Sequence, residues 1–230
     1  TMFFTVSAAG AARSVLSALI LLAVILGGVF MTLLVSKLLS VTILKGVPSS
    51  FTLELPPYRR PQIGKVIVRS VFDRTIFVLG RACAAAAPAG LLIWILANFR
   101  AGDMTILNHL EEFLDAPGHI LGMDGAVLLG FLLGFPANEI VIPIIIMCYT
   151  GAGTLTEIDN TEVLRMLFAD NGWTIKTAVC MITAVLFHFP CATTCMTIKK
   201  ETGSFKWTAA AFILPTLCGI ILCSIINFVF

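Results

Sequence analysis

The sequence predicts an all-α fold: a polytopic transmembrane helical bundle with one broken or re-entrant helix. Three observations carry this reading. Of 230 residues, 58% are hydrophobic and only 12% charged, with a mean hydropathy of +1.00. A soluble domain is nearer half apolar and a quarter charged, so this chain has too few charges to cover a water-facing surface. The apolar residues form long runs separated by shorter charged stretches, with room for about four to six spans of roughly 20 residues. One of those runs is interrupted at its centre by glycine, proline and a carboxylate.

The first span runs from Val15 to about Val35 and continues weakly to Leu44, with Arg13 before it and Lys37 and Lys45 after it. Gly27-Gly28 at its middle permits close approach of another helix. Residues 1–45 are thus the first membrane element. Residues 46–74 form a basic stretch with Arg59, Arg60, Lys65, Arg69 and Arg74. Pro56-Pro57 and Pro61 make its first part a rigid elbow, because proline fixes φ and removes a donor. After Pro61, Ile63, Val66, Ile67, Ser70 and Val71 have helical spacing, which predicts a short interfacial amphipathic helix.

The remainder, residues 75–230, reads as a second membrane domain. Its first span covers about Thr75 to Phe99, with Arg81 near the start and Trp94 near the far end. An acidic connection, Arg100 to His119, follows. The apolar stretch Leu121–Tyr149 is broken by Gly134-Phe135-Pro136-Ala137-Asn138-Glu139 and Pro143. Each half is about 14 residues, or about 21 Å as helix, which does not cross a core of roughly 30 Å. The stretch is therefore either one span broken at its centre or a hairpin that dips in and returns. A second acidic connection, Thr154–Asn171, precedes a span from Trp173 to about Phe189. Pro190 then interrupts, and Cys191–Ile198 continue the helix past a kink. The last span is Trp207–Phe228.

The basic stretch belongs on the cytoplasmic side. If Leu121–Tyr149 re-enters, the Lys199, Lys200 and Lys206 turn falls on that side too, so charge favours the hairpin. A net charge of +2 gives no reason to expect a nucleic-acid partner, and seven cysteines lying mostly in apolar runs read as free thiols rather than a disulfide framework. Thr1-Met2 opens no signal-peptide pattern and reads as the interior of a longer polypeptide.

Two constellations could carry chemistry. Glu139, with Asn138 beside it, sits at a helix break within membrane-grade sequence, where an unpaired carboxylate is expensive and an ion pathway is the default functional reading; the alternative is a carboxylate that only locks the break. His188, Cys191 and Cys195 fall at i, i+3 and i+7 if the helix continues past Pro190. Imidazole and thiolate suit divalent first-row metals including Fe²⁺, with Thr193 and Thr194 as added oxygen donors; packed thiols and an interfacial histidine are the plainer reading. Asp124 is a helix-N-terminal residue and a lesser pathway candidate; His109 and His119 read as solvated. No phosphate loop, H-E-x-x-H or G-x-S-x-G occurs, and no enzyme is expected in this chain.

Three motifs in order also resemble a known family. Glu54-Leu55-Pro56-Pro57-Tyr58-Arg59-Arg60-Pro61 is similar to the E-L-P-P-Y-R-x-P signature of the FeoB ferrous-iron permeases. Gly122-Met123-Asp124-Gly125 followed by Gly134–Pro143 resembles that family's second Gate domain, related to nucleoside-recognition domains. Phe187-His188-Phe189-Pro190-Cys191-Ala192-Thr193-Thr194 and Thr197–Ser204 resemble its final block. The resemblance implies Fe²⁺ transport across the bacterial cytoplasmic (inner) membrane, with residues 75–230 as a Gate-type domain. It implies a pathway past Asn138, Glu139 and Asp124 with His188, Cys191, Cys195 and Glu139 as metal ligands. It also implies a GTP-binding domain and a first Gate domain supplied outside this chain, GTP acting only through the former, with a homo-oligomer and small cytoplasmic Feo proteins as further partners. A nucleoside-type small-molecule transporter and a non-transporting membrane assembly protein on the same fold are the rival expectations.

Overall fold

Two units make up the chain, Thr1–Thr75 and Ile76–Phe230. The structure, a computed structural model, describes residues 10–42 and 63–230. The elbow at Pro56–Pro61 lies outside the described residues.

In the first unit, α1 (Gly10–Thr42) is one uninterrupted helix whose stretch Val15–Thr42 is long and apolar enough to cross a membrane. Its hydroxyls turn inward to the helix backbone: Thr32 donates to the Gly28 carbonyl and Ser40 to that of Ser36, both at 2.8 Å. That return bond lets polar side chains sit in an apolar surround. Helix α2 (Ile63–Arg69) follows Pro61 as the spacing predicts and passes into a π-helical stretch, Ser70–Ile76.

The second unit begins with α3 (Phe77–Asn98), the expected second span. A two-residue ladder, β1 (Arg100–Ala101) with β2 (Met104–Thr105), turns the chain into α4 (Ile106–Ile120). The stretch Arg100–His119, expected as a polar connection, is thus mostly helix. Thr105 caps it by accepting from the Asn108 amide at 3.2 Å, and Leu107, Leu110 and Leu114 share one face that packs with Ile93, Ala97, Ile144 and Met147. Three leucines at helical spacing, with a cap, outweigh the charges on the opposite face. The second acidic connection likewise contains α7 (Thr161–Asp170), capped by Asn160, which accepts from Glu162 N at 2.9 Å.

Between these lies the interrupted stretch. Helix α5 (Gly125–Leu133) ends at Gly134, a single 3₁₀ turn spans Asn138–Ile140, and α6 (Val141–Thr150) runs back. The two helices are antiparallel neighbours. A Cβ on Gly130 would meet Ile145 Cγ1 at 2.9 Å and the Val141 carbonyl at 3.1 Å, and the far ends meet where Tyr149 hydrogen-bonds Asp124. Both ends of the stretch therefore lie on one side, and the hairpin alternative is the one realised. Nine residues of α5 reach about 14 Å, roughly half of a ~30 Å core. Helices α4 and α5 are bent through 107° at the Leu121–Asp124 corner.

The last part corrects the expected continuation of the Trp173–Phe189 span past a kink at Pro190. Helix α8 (Ile175–Leu186) stops, Phe187–Cys191 is non-helical, and α9 (Ala192–Thr202) starts afresh. Pro190 has no amide to donate and pushes Phe189 out of helical φ/ψ, so the helix ends before it. Helix α10 (Phe205–Val229) is the last long apolar helix and packs along both α8 and α9. Among the described residues, α1, α3 and α10 are each long and apolar enough to cross a membrane.

Candidate functional site

The base of the hairpin is a hydrogen-bonded rim. Asp124 caps α5, its Oδ1 accepting from the Val127 amide at 2.8 Å. The Tyr149 hydroxyl donates to Oδ2 of Asp124 and accepts from Trp173 Nε1 at 2.7 Å, and Trp173 stacks on Phe168 with centroids 4.3 Å apart. Asn98 ties α3 to the same rim, donating to the Gly153 carbonyl at 2.7 Å, and Asn227 ties α10 to it through the His119 carbonyl at 2.8 Å. Asp115 accepts from the Gly125 amide at 3.0 Å and pairs with His119 at 3.1 Å. Asp124, a pathway candidate by sequence, here has both oxygens engaged in holding the hairpin. Replacing Tyr149 by phenylalanine leaves Asp124 and Trp173 without that partner, with an expected loss of about 1–3 kcal/mol, read as a lower melting temperature of the purified protein in detergent.

The hairpin tip is different. Asn138 and Glu139 are exposed, and no hydrogen bond or ion pair joins the Glu139 carboxylate to another described residue. It lines a groove of about 270 Å³ with Ile142, Pro143, Ile146, Leu164 and two further carboxylates, Glu157 and Asp159, from the α6–α7 connection. Sequence reasoning noted that connection as acidic but had no signal that it folds back along α6.

The second predicted constellation is not brought together. The break at Phe187–Cys191 removes the helical face that would align His188, Cys191 and Cys195. His188 faces Phe131 and Phe189, with centroids at 5.0 and 3.9 Å, and lines a separate, apolar cavity of about 280 Å³ with α5 and α10. Both its ring nitrogens are buried without a hydrogen bond. Cys191 stands at the start of α9 without a side-chain capping bond, its sulfur 3.1 Å from Thr193 Oγ1 and 3.2 Å from Thr194 Oγ1, while Cys195 donates to the Pro190 carbonyl at 3.4 Å. Among the described residues no group of three or more His, Cys, Asp or Glu side chains could hold a metal ion as they stand.

The two breaks meet each other. The Ala192 amide at the start of α9 donates to the Phe135 carbonyl at 2.9 Å, so an orphan amide of one helix satisfies a carbonyl just past the end of another. Phe135 lies 5.8 Å from Phe189, centroid to centroid.

Comparison with known proteins fits this architecture. The domain family described as "Ferrous iron transport protein B C terminus" matches residues 5–74, and "Nucleoside recognition", the Gate domain, matches residues 79–205. The second match alone covers more than half of the chain. The chain belongs to the Gate (nucleoside recognition) domain family, and it carries a match to the C terminus of ferrous iron transport protein B directly before that domain. Proteins named Fe(2+) transporter FeoB are similar to it along most of its length. One from Staphylococcus aureus (strain MSSA476) is 29% identical over 89% of this chain and 30% of its own length. Another, from Leptospira interrogans serogroup Icterohaemorrhagiae serovar copenhageni, is 24% identical over 87% of this chain and 31% of its own length. A third, from Campylobacter jejuni, is 25% identical over 81% of this chain and 32% of its own length. The chain thus spans about a third of each of these FeoB relatives. No solved structure matches it.

Proposed function

We propose that this chain is the permease segment of a Fe²⁺ transporter in the bacterial cytoplasmic membrane. The observation that carries the reading is the Glu139 carboxylate at the hairpin tip, without a hydrogen bond or ion pair among the described residues and lining a groove that also holds Glu157 and Asp159. Hard and borderline divalent cations are attracted by such oxygen donors, and a half-depth hairpin supplies backbone polar groups where a cation crosses. Arg81 lies near the start of α3, and Lys199, Lys200 and Lys206 flank the α9–α10 turn, at the ends of α3 and α10 away from the rim-bound Asn98 and Asn227. The positive-inside rule sets those ends in the cytoplasm. The hairpin then dips in from outside, with the acidic groove as the outer mouth.

In this scheme Glu157 and Asp159 concentrate Fe²⁺, and Glu139 with Asn138 passes it to the tip. Cys191, with Thr193 and Thr194 around its sulfur, receives it at the second break, and His188 and Cys195 become ligands only if the Phe187–Cys191 segment rearranges. Asp124 acts by holding the hairpin. The GTP-binding domain and the first Gate domain act from outside this chain and drive the movement, with small Feo proteins and further copies of the transporter as partners. A nucleoside carrier is the second reading, kept by the description of the matched Gate domain.

The groove's role has its own test. Changing Glu157→Gln and Asp159→Asn together is expected to raise KM for Fe²⁺ about tenfold with little change in maximal rate, because mouth charges act on local ion concentration. Uptake measured against Fe²⁺ concentration, at low and high salt, checks it; an unchanged KM at low salt removes the groove from the path.

A further inference from the structure

Each helix break carries the same two-residue step. Phe135-Pro136 ends the α5 side of the hairpin, and Phe189-Pro190 ends the α8 side of the second break. Proline at both places stops the helix and leaves the preceding phenylalanine at the junction. The two rings face each other at 5.8 Å, and Phe212 of α10 closes the set, stacked on Phe189 at 4.6 Å and edge-on to Phe135 at 6.0 Å. The Ala192–Phe135 backbone bond holds the two breaks in this register. Polar groups follow both steps: Asn138 and Glu139 after Phe135, and Cys191, Thr193 and Thr194 after Phe189. The junction is thus an apolar ring cluster from which both polar stretches lead off along the chain.

We infer that Phe135, Phe189 and Phe212 form a hydrophobic constriction that keeps the ion path closed until the two breaks separate. A narrow apolar neck excludes water, and with it a hydrated divalent cation, without any charged barrier. Its opening requires only that the hairpin tip withdraw from α9 and α10, which breaks one backbone hydrogen bond and two ring contacts. Phe212 is the separable member, since it lies outside both breaks and outside the groove, in mid-helix. The inference rests on the transport reading above.

The test uses the complete transporter, reconstituted in liposomes holding a fluorescent Fe²⁺ indicator, with influx read with and without GTP. Phe212→Ala is expected to raise GTP-independent influx about tenfold, the weight of the two ring contacts it removes. Phe212→Ser is expected to raise it further, because a hydroxyl wets the neck, and Phe212→Trp to return it to the starting level. A residue that only packs the core would instead lower melting temperature and total influx together, with no excess leak. Should the alanine variant not fold, Phe212→Thr, which loses both ring contacts and brings a hydroxyl into the neck, carries the same expected sign. Fe²⁺ influx in the unsubstituted transporter with no added leak in folded Phe212 variants overturns the constriction alone. No Fe²⁺ influx in the unsubstituted transporter overturns the transport reading and the constriction with it.

Discussion

Replacing Glu139 by alanine is expected to cut Fe²⁺ uptake at least about tenfold. Two unit charges at 4 Å interact by about 4 kcal/mol where the effective dielectric is near 20, and losing a third of that from the rate-limiting barrier is already a factor of about ten. The carboxylate is exposed and makes no hydrogen bond or ion pair with another described residue. Glu139→Asp keeps the charge and moves it back by one methylene, so it should retain measurable uptake. The measurement is Fe²⁺ accumulation in an uptake-deficient bacterium carrying the complete transporter, at matched protein levels. Uptake within twofold of the starting protein for the alanine variant would take Glu139 out of the path.

The largest expected effect on folding belongs to Gly125, the first residue of α5. A Cβ there would overlap the Glu111 carbonyl oxygen and lie 2.9 Å from the Asp115 amide nitrogen. Backbone from α4 cannot yield as a flexible side chain would, so α4 and α5 must part. Their parting also strains the bond from the Gly125 amide to Asp115. Gly125→Ala should cost about 3 kcal/mol or more, at the upper end of overpacking changes. Gly90→Ala is the matched control: it is in α3, its added Cβ meets nothing within 4 Å, and alanine is the better helix former by about 1 kcal/mol. Thermal melting of both variants in detergent decides the point, and equal melting temperatures would mean the α4–α5 corner is looser than described.

How far the sequence anticipated this arrangement depends on range. The three long helices were legible because an uninterrupted apolar run needs no tertiary information. The break at Gly134–Glu139 was legible for the same local reason, and Asp124 read correctly as a helix-starting residue. Helices α4 and α7 were hidden by their charged faces; their signals, Leu107-Leu110-Leu114 and the caps Thr105 and Asn160, were present and outvoted by composition. The alignment of His188, Cys191 and Cys195 assumed a helix that Pro190 forbids, and that local rule should have weighed more. The closure of the hairpin at Asp124–Tyr149, the fold-back of Glu157 and Asp159 toward Glu139, and the meeting of Phe135 with Ala192 are contacts between segments 18 to 57 residues apart in sequence. A single phenylalanine inside an apolar span, as at Phe212, has no pattern that distinguishes it from its lipid-facing neighbours.

The most direct test of a carboxylate-guided Fe²⁺ path is paired flux in liposomes containing the purified complete transporter. External Fe²⁺ and a labelled nucleoside are offered separately, in the presence of GTP. Inward Fe²⁺ flux that excess nucleoside leaves unchanged, and that Glu139→Gln abolishes, is the expected result. Nucleoside influx with no Fe²⁺ signal would contradict the account.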